Sequence, residues 1–526
     1  MSLSQQPCDE GVIRSASDGS PCAPNVRRWV LVATIGGSSL VFINGSTVNV
    51  ALPAIQNGLN ASVVDMQWVV NAYTLFLAAL ILLGGSLGDH FGRRRVFVVG
   101  VVVFALASVW CALARGTVDL VIARSLQGVG GALLTPGSLA IISATFPQHE
   151  RGQAIGLWSG FSAMTAALGP VLGGWLVDTL SWRWVFYMHL PLALLVIAVS
   201  LWRVPESFDD EASDHLDVPG AALATLGLMG VTYGLLESTR RGFTDPLILA
   251  TLGLGVALFA AFLWTEARSD DPMMPLGVFG SSTFSGANLL TLFLYTALGG
   301  VLFFLPFNLI QIQGYSATAA GAAFLPFILS VSLLSRWSGG LVERVGAKLP
   351  LVVGPLIAAA GHASLAIPSV GGNYWATFFW PILVMGLGMA VSVAPLTTTV
   401  MNAVPTHQAG TASGINNAVS RLANLLAVAL LGLVMIGVFN VTLRDQLSGL
   451  NLAPATLDAV TAERANLAGI TPPDNLDADT TTQIEQAIDT AFVRGYRVVV
   501  LLCAVLCVLG AGVAWRMIRG EVAAEG

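Results

Sequence analysis

The chain has 526 residues, of which 55% are hydrophobic and only 10% charged, with a mean hydropathy of +0.75. A soluble protein of this size carries about 25% charged residues, so the deficit excludes a water-soluble class and places most side chains against lipid or one another. The net charge is −6, but the bases sit in short loops and many acids in one late segment; no basic patch points to nucleic acid, and the chain reads as an all-α polytopic membrane protein.

Residues 1–27 are polar and lack the apolar core of a signal peptide, so they read as a cytoplasmic tail. A spanning helix needs roughly 20 apolar residues. Fourteen segments qualify, near 29–53, 66–88, 96–114, 118–145, 153–178, 184–203, 217–237, 246–265, 284–309, 317–341, 350–369, 375–401, 411–439 and 495–517. The turn Gly84–Arg95 joins the second and third and holds Asp89, Arg93, Arg94 and Arg95 at a membrane surface. Short loops rich in Arg and Lys favour the cytoplasm, so this loop orients every span, and an even count returns the tail 518–526 to the same side. Arg151, Arg203, Arg268, Arg344 and Lys348 agree with that orientation, whereas Arg240 and Arg241 run against it.

A repeat divides the chain. Pro147, His149, Gly152, Ala154 and Gly156 recur at a constant offset as Pro405, His407, Gly410, Ala412 and Gly414, and Gly128 and Gly130 recur at the same offset as Gly386 and Gly388. The loop returns in weaker form as Gly339-x-x-x-Glu343-x-x-Gly346-x-Lys348. The reading is two related six-helix bundles, 28–204 and 284–517, with a two-helix insertion at 217–266. The segment 440–494, inside the second bundle, is an acidic outer loop with helical stretches at 455–467 and 481–494. Its acids either concentrate cations through their field or form a solvated cap.

The polar residues inside the spans carry the functional candidates. Arg124 in the fourth span costs at least about 3 kcal/mol at a helix centre unless it faces a cavity or partner, or else it snorkels to the interface. Arg421 lies deeper in the thirteenth span beside Asn416, Asn417 and Asn424 and reads as part of a polar cavity-facing patch. In the fifth span, Gly152-x-x-x-Gly156-x-x-x-Gly160 permits close helix approach, and Gly169-Pro170-x-x-Gly173-Gly174 adds a site for bending. Phe42, Tyr73, Trp158, Phe161, Tyr233, Phe293 and Phe303 either line a cavity or pack between helices. The cysteines have no metal-ligand company and read as apolar fillers. His90, His149, His189, His215, His362 and His407 are scattered, and no HExxH, GxSxG or P-loop occurs. Catalytic residues, a resident metal, a cofactor and direct coupling to ATP are therefore not expected.

Several ordered motifs resemble the major facilitator superfamily. They are Gly85-x-x-x-Asp89-x-x-Gly92-Arg93-Arg94 and the Gly-Pro motif of the fifth span; Asn49–Pro53, Trp68–Tyr73, Ser181–Phe186 and Asp217-x-x-Gly220 are similar to its fourteen-span drug:proton antiporter branch. The resemblance implies the major facilitator fold and a multi-pass exporter in the plasma (inner) membrane that exchanges small amphipathic, often cationic, drugs for protons. It implies that Asp89 pairs with a loop Arg and a helix N-terminus as a conformational latch with Gly85, Gly92, Arg93 and Arg94. It also exposes two departures. The branch usually carries an acid where this chain has Asn44, and an Asn where this chain has His189. A proton search therefore turns to Glu237, Asp178 and His189, with Arg124, Asn44, Arg421 and Glu237 as the transport and coupling candidates. Export of one natural metabolite such as an antibiotic or siderophore, a membrane sensor, and an envelope partner at the outer loop remain open.

Overall fold

The computed structural model describes residues 24–208, 217–269, 272–404, 409–450, 452–473 and 476–519. Most of the N-terminal tail, the C-terminal residues 520–526, Cys8, Cys22, His215, Asp474 and the repeat members Pro405 and His407 lie outside these. The described residues form helices joined by turns and short irregular stretches, without strands.

The first half runs α1 (Pro24–Leu59), α2 (Val63–Phe91), α3 (Arg93–Leu113), α4 (Thr117–Thr145), α5 (Gln148–Thr179) and α6 (His189–Arg203), the last preceded by the short turn Trp184–Tyr187. Two helices follow, α7 (Val218–Arg241) and α8 (Pro246–Glu266). The second half is α9 (Ser282–Phe307, prolonged by a wider turn Asn308–Ile312), α10 (Ala317–Ala322), α11 (Leu325–Gly339), α12 (Lys348–Ser364), α13 (Phe379–Asn402), α14 (Ala409–Leu426), α15 (Gly432–Ser448), α16 (Pro454–Ala462) and α17 (Ala478–Met517). Starts are set by local chemistry. Ser62 and Asp65 form a reciprocal capping box on α2, and Asp217 and Asp245 cap α7 and α8, each ahead of a proline in the first turn.

Twelve helices among the described residues are long and apolar enough to cross a membrane, and large apolar side chains such as Leu106, Leu194, Trp202, Leu254 and Leu333 stand exposed on them, as lipid contact requires. This is a multi-pass membrane protein. Length and composition among the described residues thus support twelve of the fourteen spans counted in the sequence. The other two expected spans fall on α5 and on α12, whose 17 residues reach only about 26 Å at roughly 1.5 Å per residue, short of a hydrocarbon core of about 30 Å.

The repeated glycines make equivalent contacts in the two halves. A Cβ on Gly128 of α4 would strike the Tyr73 carbonyl of α2, and one on Gly130 would meet the Phe104 nitrogen of α3 at 2.6 Å. On α13, a Cβ on Gly386 would come within 2.7 Å of Phe327 of α11, and one on Gly388 would strike the Ala358 backbone of α12. Without a hydrophobic drive between helices in lipid, such backbone approach is what packs them. By contrast, a Cβ on Gly156 would meet nothing within 4 Å; the close contacts of α5 lie further along, at Gly169, Gly173 and Gly174.

Segment 440–494 is a packed cap. Val460, Leu467, Ile484, Ile488 and Ala491 are buried in the main core, and Gln56 Nε2 of α1 donates to the Asn466 carbonyl at 3.1 Å.

Candidate functional site

A cavity of about 240 Å³ lies where the halves meet. One face of α1 supplies Phe42, Gly45, Ser46 and Asn49, spaced three and four residues apart as one helical face demands. Tyr73 comes from α2, Pro170 from α5, Leu302 and Pro306 from α9, Phe324 from the turn before α11, and Arg421 from α14. From Ala409 to Arg421 is about 18 Å along the axis at roughly 1.5 Å per residue, and the helical path continues past Leu426 through the turn Ala427–Leu431 into α15, which puts this guanidinium deep within the span. Its Nε is buried without a hydrogen-bond partner among the described residues. The three asparagines near it in sequence do not satisfy it. Asn416 Nδ2 donates to Asn288 Oδ1 and Thr291 Oγ1 of α9 at 3.2 and 2.7 Å, while Asn417 and Asn424 bond carbonyls of their own helix. None of the three hydrogen-bonds Arg421, because each amide donates elsewhere; Asn417 and Asn424, four and three residues from Arg421, nevertheless share its face of α14.

Arg124 sits behind the cavity wall and is only 2% exposed, which rules out the snorkelling alternative. Its Nε donates to the Val69 carbonyl at 2.9 Å, its Nη1 to Asn44 Oδ1 at 3.1 Å and to Gln127 Oε1, and its guanidinium carbon lies 4.3 Å from the centre of the Tyr73 ring. Gln127 Nε2 in turn donates to Ser108 Oγ at 2.8 Å. Asn44 is fully buried, and every partner of Arg124 in this network is neutral. His189 is also buried, with Nδ1 3.1 Å from the Phe186 carbonyl and its ring edge-on to Phe104, so it is held by the turn before α6.

Glu237 does not reach the cavity. It accepts from Trp68 Nε1 at 3.1 Å and lies 3.7 Å from Arg240, whose other terminal nitrogen meets Asp65 at 2.8 Å. Together these contacts tie α7 to α2.

At the basic loop, Asp89 Oδ1 accepts from Arg93 Nε at 2.7 Å. The N-terminus of α3 is capped by other groups. Arg94 N–H donates to Glu206 Oε1 at 2.9 Å, and Arg93 N–H donates to the Ser207 carbonyl at 2.9 Å. Glu206 also lies 3.5 Å from Arg94 Nε and 3.6 Å from Arg95 Nε. Glu206 is a missed member of this cluster; its only sequence signal is an acid just past a span end near three arginines. Gly92 links α2 to α3 at φ +105°, a conformation that disfavours a side chain, and a Cβ there would come within 2.8 Å of Glu206 Oε1. Gly85 makes only ordinary contact with Pro136; the tight approach, to the Ala132 carbonyl, is at Gly84.

The hydrogen bonds that join the halves, among the described residues, lie toward the helix ends opposite the basic loop. Gln311 Nε2 donates to Gln56 Oε1 at 3.0 Å, and Gln67 Nε2 to the Val428 carbonyl at 3.1 Å. Asp178, at the end of α5, accepts from the backbone N–H groups of Ala317 and Thr318 at 3.0 and 2.8 Å and from Thr318 Oγ1, holding the N-terminus of α10. The Gly-Pro motif makes this clamp possible. Gly169 and Gly173 lie on Ser46 and Thr47 of α1, while Gly174 and Pro170 meet Ala317 and Gly321 of α10, each too close to admit a Cβ. Thus α5 contacts both halves through one glycine-lined stretch.

Residues 34–428 match the family model of the Major Facilitator Superfamily. The chain belongs to that superfamily. It is 32% identical over 513 residues to the multidrug resistance protein Stp of Mycobacterium tuberculosis, covering 94% of this chain and 93% of the relative. It is 31% identical to the tetracenomycin C resistance and export protein of Streptomyces glaucescens, covering 93% and 91%, and 36% identical to the puromycin resistance protein pur8 of Streptomyces alboniger, covering 80% and 84%. A bacterial homolog of the human lysosomal transporter Spinster, solved inward-facing and unoccupied, superposes with a TM-score of 0.66 at 18% identity over 95% of this chain and 99% of that one, a likeness of fold.

Proposed function

We propose that this chain is a secondary active transporter that exports small amphipathic compounds by alternating access, in exchange for protons. The observation that carries the reading is the cavity between the halves, lined by Arg421 and by residues of both, with the joining hydrogen bonds confined toward one side of it. The names of its relatives, multidrug resistance and antibiotic export proteins, point the same way. In this reading the bundles are residues 28–204 and 284–517, flanking the insertion 217–266, with fourteen spans in the plasma membrane and both termini in the cytoplasm. The basic loop then marks the inside, and the structure is the inward-facing state, sealed outside by Gln56, Gln67 and Asp178.

Export requires the outer seal to open while the inner ends close. Each net hydrogen bond contributes about 1 kcal/mol, so a handful of them has the size of the few kcal/mol that separate two conformations. Arg93, Arg94, Asp89 and Glu206 hold the α2–α3 turn rigid so that the bundle moves as one body. Asn44 cannot carry a proton, and Glu237 is remote from the cavity. Asp178 is the carboxylate whose protonation would directly weaken a contact between the halves, and we assign the exchanged proton to it. The test is proton release from energised everted vesicles on addition of a lipophilic drug panel. Drug-dependent release that is lost in Asp178→Asn supports the reading; drug movement with no proton signal in the parent protein overturns the exchange, and no drug movement at all overturns export.

A further inference from the structure

The aromatic walls of the cavity suit a lipophilic cargo, but its charge is one-sided. Two guanidinium groups, Arg421 and Arg124, stand in and behind its wall, and no carboxylate lines it among the described residues. Arginine cannot discharge by losing its proton. Arg124 has only neutral partners, in Asn44, Gln127 and the Val69 carbonyl. Arg421 has a buried Nε with no partner at all among the described residues. A desolvated cation without a counter-charge is costly, and a group that supplies the missing charge recovers much of that cost. The Tyr73 ring, which a cationic cargo would seek beside Arg421, already carries Arg124 over one face at 4.3 Å. A cation would therefore meet two like charges in and behind the wall, one of them already on the Tyr73 ring.

Resting on the reading of this cavity as the substrate site, we propose that it takes amphiphiles bearing an anionic group, such as a carboxylate, sulfonate or acidic phenol, with the anion held at Arg421 and the apolar body against Phe42, Val50, Leu302 and Phe324. The cargo is the counter-ion the protein lacks. Moving an anion out of a negative-inside cell also runs with the membrane potential, so part of the driving force enters through the cargo itself.

The experiment uses the full-length transporter in nanodiscs and two fluorescent probes that differ by one sulfonate, anilinonaphthalene sulfonate and its uncharged parent phenylnaphthylamine, with empty discs subtracted. The sulfonate is expected to bind about ten- to hundred-fold more tightly than the parent, the value of a charge-assisted hydrogen bond. Arg421→Gln is expected to erase that ratio while leaving the parent probe unchanged, and Arg421→Lys to keep most of it. Retained binding of the neutral probe reports that the variant is folded. Should Arg421→Gln fail to fold, Asn44→Asp supplies a counter-charge to Arg124 and is expected to weaken the sulfonate alone. Equal affinity of the two probes in the parent protein, or a ratio that neither substitution moves, overturns the anion assignment. Leu302→Trp fills the cavity and separates the two ideas. If it abolishes both probes while the protein keeps its monodisperse elution and melting temperature, the cavity reading stands whatever the ratio; if it leaves both bound, the cavity reading itself fails.

Discussion

Replacing Asp178 by Asn tests the clamp that closes the far side of the cavity. The carboxylate accepts two backbone N–H groups and a hydroxyl from the start of α10. A hydrogen bond to a charged group contributes about 1.5–3 kcal/mol when shielded, and a carboxylate at a helix N-terminus adds about 0.3–1 kcal/mol. Asp178 is exposed, so solvent screening reduces the total, and Asn keeps one acceptor; a loss of roughly 1 kcal/mol is the reasonable figure. That shift multiplies the outward-open fraction by about five, since 1.4 kcal/mol is a factor of ten. The assay is labelling of Asn49→Cys, inside the cavity, by a membrane-impermeant maleimide added outside intact cells. Native Cys111, Cys503 and Cys507 are buried and give a low background. Labelling is expected to rise about fivefold in Asp178→Asn, in proportion to the open fraction. An unchanged rate, at equal protein abundance, would refute the claim that this carboxylate holds the two halves together.

Gly174→Val acts on the same closure from the other side, because its side chain meets the Ala317 carbonyl; outside labelling of the same cysteine should rise more than in Asp178→Asn, with transport lost. Glu206→Gln removes the charge that caps α3 and faces Arg94 and Arg95; it should cost about 1–2 kcal/mol, read as a melting temperature a few degrees lower in detergent, with slower export. Gly92→Ala forces a side chain onto φ +105° and should cost about 1–3 kcal/mol, measured the same way. Asp89→Asn loses the pair with Arg93 and should lower transport without lowering the amount of protein in the membrane.

The sequence by itself determined that this chain lives in a bilayer and where most of its helices run. These are local properties: a run of apolar residues of bilayer length has to become a helix because lipid offers its backbone no partners, and glycines at one offset mark helix contacts wherever the halves lie. Arg124 was legible for the same reason, since a charge inside a span has to be satisfied by something. What satisfied it was not legible. That Arg124 meets Asn44 and Gln127, that Arg421 lines the cavity without a bond from its neighbouring asparagines, and that Glu237 serves α2 and not the cavity all depend on how helices rotate against one another. Asp178 and Thr318 are 140 residues apart in the chain, and Arg94 and Glu206 are 112 apart. Only the packing of α5 on α10, and of the segment after α6 on α3, brings such pairs within hydrogen-bond reach, because side-chain partners are chosen by the register of whole helices and not by the residues beside them in sequence.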